Sequence, residues 1–507
     1  MAKIFAVALN LHDHNTYDGV FHNQRERFTR FKHNLPYHAE AYDHQSDILN
    51  PGDYRLNDEF VDDYFKKVDD GILAFTYTYG GIRKAKEELL NTILKGHDKI
   101  FNYDPKELWD YYYKDGIYYI DHHQSHATYA FLNSGFYQSD ILAIDGIGSK
   151  FRCVFFDKDQ KLIDLSDKLP IGWLWNHMSN LTGFGTLGAS KLMGKVGYGK
   201  YSEYYYNIFE TILSGPITEK KQTHFKEIKL DNIDDLAHTL QKFTIDKIKE
   251  HVYPLKTCDN LCIAGGVAYN GYMNEEFTKH YENVFVPPAV GDEGQAIGVY
   301  QHADYMINYN VHKTETFAGK EYDTLPDEWP YRYEKADYKK IAQAIADGKI
   351  VGWFQGKSES GNRALGNRSI LADPRNPNIK DIINHTIKMR EDFRPFAPAV
   401  LEEHYKEYFD TRLPSPYMSR ICKVKTDKVP GITHVDNTAR IQTVNKKFNE
   451  KFYNIINEFY KITGIPMLLN TSFNCREPIV ESPKQAINTF KRTELDMLVI
   501  NDKVICK

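Results

Sequence analysis

Two stretches of this chain follow one plan, and that plan limits the fold more than any other feature. ILAIDGIGSKFRCVFFDKDQKLIDL (141–165) reads as a strand over 141–144, an Asp-Gly turn, a strand over 151–156, a DKDQ turn and a third strand. KIFAVAL (3–9) reads as the same first strand, with a polar turn at His12–Asn15 and a second turn signal at Asp18-Gly19. The repetition predicts a duplicated α/β fold in which each hairpin turn grips a phosphate or a metal.

At 507 residues the chain is too long for one core, and roughly three domains, or two large ones, are expected. Residues 232–252 carry a helical apolar stripe with Asp231 or Asn232 placed to cap it, running into LCIAGG (261–266), a buried strand ending in Gly-Gly. Residues 313–335 are polar, hold two prolines and lack periodicity, which marks an interdomain connection. A helix over 336–349 and a strand over 350–354 then open a second core of about 170–180 residues. The expected division is 1–325 and 326–507.

Net charge is −5, so no global basic bias points to nucleic acid. No apolar run reaches the ~18–20 residues of a membrane span, and MAKIFAVALNLHDH does not read as a signal peptide. Cysteines at 153, 258, 262, 422, 475 and 506 form no CxxC. That pattern fits a reducing cytoplasm and argues against zinc fingers or a disulfide framework.

His122 and His126 in IDHHQSHATYAF (120–131) lie four apart, which on a helix puts both imidazoles on one face. They read as a metal pair or as helix-start histidines making hydrogen bonds. Asp145, after strand 141–144, and Asp292, in VGDEGQAIG (290–298), could add carboxylates. Two His with carboxylates suit a divalent ion such as iron, manganese or zinc. In AGGVAYN (264–270), Gly265, Gly266 and Asn270 form a strand–helix turn on which a phosphate or flat ring could lie.

The last third is rich in cations. GWFQGKSESGNRALGNRSILADPR (352–375) holds Lys357, Arg363, Arg368 and Arg375 among four glycines. IKMREDFRPFAP (387–398) adds Lys388, Arg390 and Arg394, and THVDNTARIQTV (433–444) adds His434, Asp436 and Arg440. NTSFNCREPIV (470–480) adds Asn470, Ser472 and Asn474. Guanidinium forks and backbone amides bind phosphates, and the interleaved Trp353, Phe354, Phe393, Phe396 and Phe473 read as a pocket wall rather than a solvated surface.

In order along the chain, ERFTRFKH (26–33), HHQSHA, DGIG, AGGVAYN, GDEGQAIG, NRALGNRSILADPR, REDFRPFAP, THVDNTARIQTV and NTSFNCREPIV resemble the O-carbamoyltransferases that modify nodulation factors and aminoglycoside or cephalosporin-type antibiotics. The resemblance implies a duplicated actin/hsp70-like (ASKHA) N-terminal domain followed by a YrdC-like α/β C-terminal domain. It implies that the latter makes carbamoyladenylate from carbamoyl phosphate and ATP with Mg2+, and that the former moves the carbamoyl group to an acceptor hydroxyl. By the same resemblance His122, His126, Asp145 and Asp292 hold a divalent metal, iron first and manganese or zinc as alternatives. Lys388 and Arg394, with Arg363 and Arg440 beside them, hold the phosphates. His12 and Lys32 match N-terminal active-site positions. His12, His14 and Asp13 are candidates for the base. A homodimer is also implied.

The chain departs from the family pattern at Lys357, Ser358, Ser360 and Asn362, and at Lys195 in SKLMGKVGYGK (190–200). The acceptor is a sugar or natural product, or the hydroxymethyl group of a pyrimidine in a nucleotide or DNA. The second option is motivated by basic runs at Arg25–His33 and Lys191–Lys200, both expected beside the acceptor. A tRNA threonylcarbamoyl-type transferase and a catalytically degenerate nucleotide-binding protein are the competing readings.

Overall fold

Ile4, Ala6 and Ala8 alternate into the core along strand Ile4–Leu9, as the two-residue period of a strand requires. The computed structural model describes residues 2–9, 14–20, 22–24, 72–77, 111–114, 117–146, 148, 151–185, 188–214, 228–322 and 333–507. Strand Ile4–Leu9 pairs antiparallel with His14–Tyr17, which pairs antiparallel with His22–Gln24. On its other side it runs parallel to Ile72–Tyr77, followed by Ile117–Ile120 in parallel and Tyr111–Lys114 at the edge. A second sheet repeats the plan. Asp140–Ile144, Cys153–Phe156 and Leu162–Asp164 form the antiparallel meander. Asn260–Ala264 and Asn283–Phe285 extend it in parallel from Asp140–Ile144. The duplication expected from the sequence is therefore present in the strand order itself.

Helix His122–Ser134 stands between these sheets. Its Tyr129 packs in one core with Ile4, Ala6 and Ala74, while Ala127 and Ala130 pack in another with Ile141, Ala143 and Ala264. Its start is set by Asp121, whose Oδ1 accepts from the amides of His123 (2.8 Å) and Gln124 (3.2 Å), an N-cap that satisfies otherwise orphan donors. Helix Ile233–His251 is capped by Asn232, whose Oδ1 accepts from Asp234 and Asp235.

The C-terminal sheet has ten strands. Its centre runs Met497–Ile500, Val351–Phe354, Arg368–Ala372, Met467–Ser472, Ala397–Leu401 and Thr438–Val444. Helices Tyr338–Ala346, Glu450–Thr463 and Pro483–Arg492 contribute Ile341, Phe452, Ile456 and Phe490 to its core.

One local expectation is corrected. His14 and Asn15 are not turn residues but the start of a strand, because the ladder with Ile4–Leu9 continues to the Leu9–His14 pair. Residues 313–322 bond to both parts of the chain. The Thr314 amide donates to Asn133 (2.9 Å), the Ser360 amide to the Thr316 carbonyl (2.8 Å) and the Gly319 amide to the Ser358 carbonyl (3.0 Å). Among the described residues no helix is long and apolar enough to cross a membrane.

Candidate active site

The first turn of helix His122–Ser134 presents His122 and His126 to two carboxylates. His126 Nε2 lies 3.3 Å from Asp145 Oδ2 and 3.4 Å from Asp292 Oδ1, and His122 Nε2 lies 3.7 and 3.4 Å from the same atoms. Ligands about 2.1 Å from one ion are separated by roughly 3–3.5 Å, so the donor set fits a tetrahedral or octahedral divalent ion. Asp145 is aimed by two backbone amides, Gly146 on Oδ1 (2.6 Å) and Gly266 on Oδ2 (2.9 Å). Burial opposes the Asp145 charge, but the two imidazoles outweigh it and hold the carboxyl well below the ordinary range. Burial likewise opposes protonation of His126, and Asp145 with Asp292 outweighs it, raising the imidazole to about 9. The His123 ring packs against Gly148, and burial with the neighbouring His122 pushes it down to about 4.

Gly265 has φ +92°, and a Cβ there would sit 2.2 Å from the Ile144 carbonyl oxygen; only glycine fits both constraints. The turn thus brings the Gly266 amide to Asp145. Asn270, expected at the nucleotide, also serves the fold. Its Oδ1 caps helix Gly271–Phe277 through the Met273 amide (3.1 Å), and its Nδ2 donates to Gln241 (2.8 Å).

The structure sorts the C-terminal cations into two groups. Arg368 is buried, donates to the carbonyls of Gln355, Asn367, Lys320 and Gly356, and stacks 3.6 Å from the Phe354 ring centroid. Arg375 closes on Asp373 at 2.6 Å. Both serve the fold. Arg363, Arg390 and Arg440 face no carboxylate within 4 Å among the described residues. Arg390 is held by Asn384 Oδ1 (2.8 Å) and the Phe396 ring, and Arg440 reaches only the Met193 sulfur (3.7 Å). Burial and Arg363 push Arg440 down to about 9, and burial and Arg394 push Arg390 to about 9. Burial and Arg394 also lower Arg363. Desolvated like charges of this kind are costly until an anion completes them.

Lys388 is enclosed rather than open. Its Nζ donates to Ser472 Oγ (3.2 Å), the Asn474 carbonyl (3.1 Å), Asn474 Oδ1 (2.7 Å) and, in a very short contact, the Ser472 carbonyl. Lys388, Ser472 and Asn474 are therefore brought together. Asn470 donates to the Ala364 carbonyl (3.0 Å) and Gln442 (2.8 Å), pinning the loop that carries Arg363. His434 and Asp436 hold the seam to the N-terminal part, His434 with the Gly194 carbonyl (3.2 Å) and Asp436 with the Tyr272 hydroxyl (2.9 Å).

Loop 190–200, expected beside the acceptor, packs on the cation cluster. Lys191 pairs with Glu391 (2.9 Å), and Lys195 pairs with Asp234 (3.1 Å) over the Phe393 ring. Lys357 faces Glu315 at 3.9 Å, and Ser358 donates to Glu481 at 2.9 Å. The departures from the family pattern thus bear on residues 315–319 and 481. His12, Asp13 and Lys32 lie outside the described residues, and His14 is placed only by its backbone. Sequence reasoning missed Tyr269 and Glu293, which join the two clusters. Their signal was position alone, inside two motifs already singled out.

A family profile described as Carbamoyltransferase N-terminus matches residues 14–244 and 217–300, and one described as Carbamoyltransferase C-terminus matches 342–507. An uncharacterised protein of Synechocystis is 32% identical over 96% of this chain and 92% of its own length. Nodulation protein NolNO of Sinorhizobium fredii is 35% identical over 77% of this chain and 64% of its own length, just under two thirds. A 3'-hydroxymethylcephem-O-carbamoyltransferase of Streptomyces clavuligerus is 36% identical over 42% of each. The chain belongs to the carbamoyltransferase family, and it is a transferase enzyme.

Proposed function

We propose that the protein is an ATP-dependent O-carbamoyltransferase that makes carbamoyladenylate on its C-terminal sheet and transfers the carbamoyl group beside the His122–Asp292 cluster. The observation that carries this reading is the group of guanidinium ions at Arg363, Arg390 and Arg440, desolvated near one another and facing no carboxylate within 4 Å among the described residues, with Arg394 beside them on Glu391 (3.7 Å). A polyanion would offset their charge, and carbamoyl phosphate and ATP are both polyanions. Water takes the phosphoryl group of carbamoyl phosphate and releases phosphate and carbamate. A carbamate oxygen attacks the α-phosphorus of ATP, the bond to the bridging oxygen of the β-phosphate breaks, and pyrophosphate leaves. An acceptor hydroxyl then attacks the carbamoyl carbon, AMP departs, and the hydroxyl proton passes to a base.

For the first step, Arg363, Arg394 and Arg440 would offset phosphate charge, and Lys388 would hold the Ser472–Asn474 turn that lines it. For the second, His122, His126, Asp145 and Asp292 would hold a divalent ion, which supplies Lewis-acid polarisation of phosphate oxygens. His14, His12 and Asp13 are the candidates for the base, and Lys32 is a further N-terminal active-site candidate. The repeated strand order of the two N-terminal sheets supports the actin/hsp70-like reading of 1–325, and the mixed sheet of 326–507 is read as YrdC-like. The acceptor is read as a small-molecule hydroxyl, because Lys191 and Lys195 are already paired with acids and offer little to a nucleic-acid backbone.

The test is pyrophosphate release from ATP by the full chain, with and without carbamoyl phosphate. Release should depend on carbamoyl phosphate and fall at least about a hundredfold in Arg440→Ala, the scale of one lost charge-stabilising group. Release that ignores carbamoyl phosphate would sink the reading.

A further inference from the structure

The loop carrying Arg363 leans on the loop carrying Asp292. A Cβ on Gly361 would lie 2.4 Å from the Pro288 carbonyl oxygen, so the two backbones are in direct contact. Two residues on, the Arg363 guanidinium lies over the Tyr269 ring, 5.0 Å from its centroid. The Tyr269 hydroxyl makes a very short hydrogen bond to Glu293 Oε1, which also accepts from the Gly291 amide (3.1 Å). The same ring closes over Gly291, where a Cβ would lie 3.1 Å from Tyr269 Cε2. Arg363 Nε is buried without an acceptor among the described residues.

From this chain of contacts we infer that Tyr269 and Glu293 are positioning residues: Glu293 fixes the Tyr269 ring, and the ring presents Arg363 to the anion. The inference rests on the reading of the cation cluster as a phosphate site. An arginine with no hydrogen-bonded anchor, repelled by Arg394 and Arg440, would otherwise swing toward solvent and lose the site its nearest cation. The ring face attracts the guanidinium, and the carboxylate behind it offsets the crowding of positive charge without capturing the guanidinium. Burial, the ring and Glu293 all bear on Arg363, the last two favouring its charged form.

The experiment is a titration of inorganic pyrophosphate into the full chain by calorimetry, for wild type, Tyr269→Leu, Tyr269→Phe, Arg363→Ala and the double variant Tyr269→Leu/Arg363→Ala. Thermal unfolding of each reports the fold. Tyr269→Leu should weaken pyrophosphate binding about tenfold, and Tyr269→Phe, which keeps the ring, by less than about threefold. The double variant should bind no more weakly than Arg363→Ala alone, because Tyr269 acts through that arginine. Additive losses, equal affinity in folded Tyr269→Leu, or no pyrophosphate binding by wild type would each overturn the inference. Binding with this pattern in a protein that releases no pyrophosphate from ATP would leave the inference standing and remove the proposed activity.

Discussion

Arg368 and Arg363 lie five positions apart in one motif and meet opposite surroundings. The first spends its fork on four backbone carbonyls and a ring; the second has no hydrogen-bonded acceptor among the described residues. Arg368→Lys should therefore cost about 2–4 kcal/mol of stability, because a single ammonium cannot serve four buried carbonyls. Arg363→Lys should leave the melting temperature unchanged and raise KM for carbamoyl phosphate. Melting curves beside steady-state kinetics separate the two. At the other cluster, Asp292→Asn should lower bound metal to less than about a tenth of wild type, read by elemental mass spectrometry on protein that keeps its melting profile. The sequence made the imidazole pair legible, because four residues is one helical turn and geometry follows directly. It could not sort the arginines. Which guanidinium is consumed depends on carbonyls at 320 and 355–367, and loop carbonyls have no signature in residue type.

At the scale of elements, apolar spacing and capping residues were readable. Asn232, one of the two cap candidates, stands where helix Ile233–His251 begins, since short polar side chains there answer a local need of the backbone. The end of the first hairpin was not readable, because ladder length depends on the partner strand. Helix Gln295–Asn308 lays His302 against the first sheet, where the Tyr118 hydroxyl meets its Nδ1 at 2.7 Å. Burial pushes His302 down to about 4, so the folded protein keeps it neutral where the unfolded chain, titrating near 6.5, takes a proton. The unfolded state binds more protons between these values, so stability should fall as pH drops from about 6.5 toward 4. The loss approaches on the order of 2–3 kcal/mol. Melting temperatures across that range should show it, and His302→Phe should flatten the slope.

Across the whole molecule, the seam between the C-terminal sheet and the N-terminal part is built from backbone recognition. Arg412 donates to the carbonyls of Thr278 (3.0 Å), Tyr281 (2.7 Å) and Glu282 (2.7 Å). Arg420 bridges the carbonyls of Pro414 and Val284, both at 2.8 Å. Asn274 spans Ala268 and Ser419. Arg420→Ala strands two carbonyls and should cost about 2–3 kcal/mol. Calorimetry should show one transition shifted downward; two separated transitions in wild type would mean that the parts melt independently. No local pattern announces such a seam. Its partners are at least 130 residues apart, and the polar stretch at 313–335 reads as a connection without revealing that residues 314–319 are bound on both sides.

The contact between Gly361 and Pro288 has a practical meaning for anyone dissecting the chain. A cut placed near residue 325, where composition invites it, would separate the loop of Asp292 from the loop of Arg363 that leans on it. The first fragment would carry the Tyr269 ring with nothing to hold, and the second would carry Arg363 with nothing to lean on.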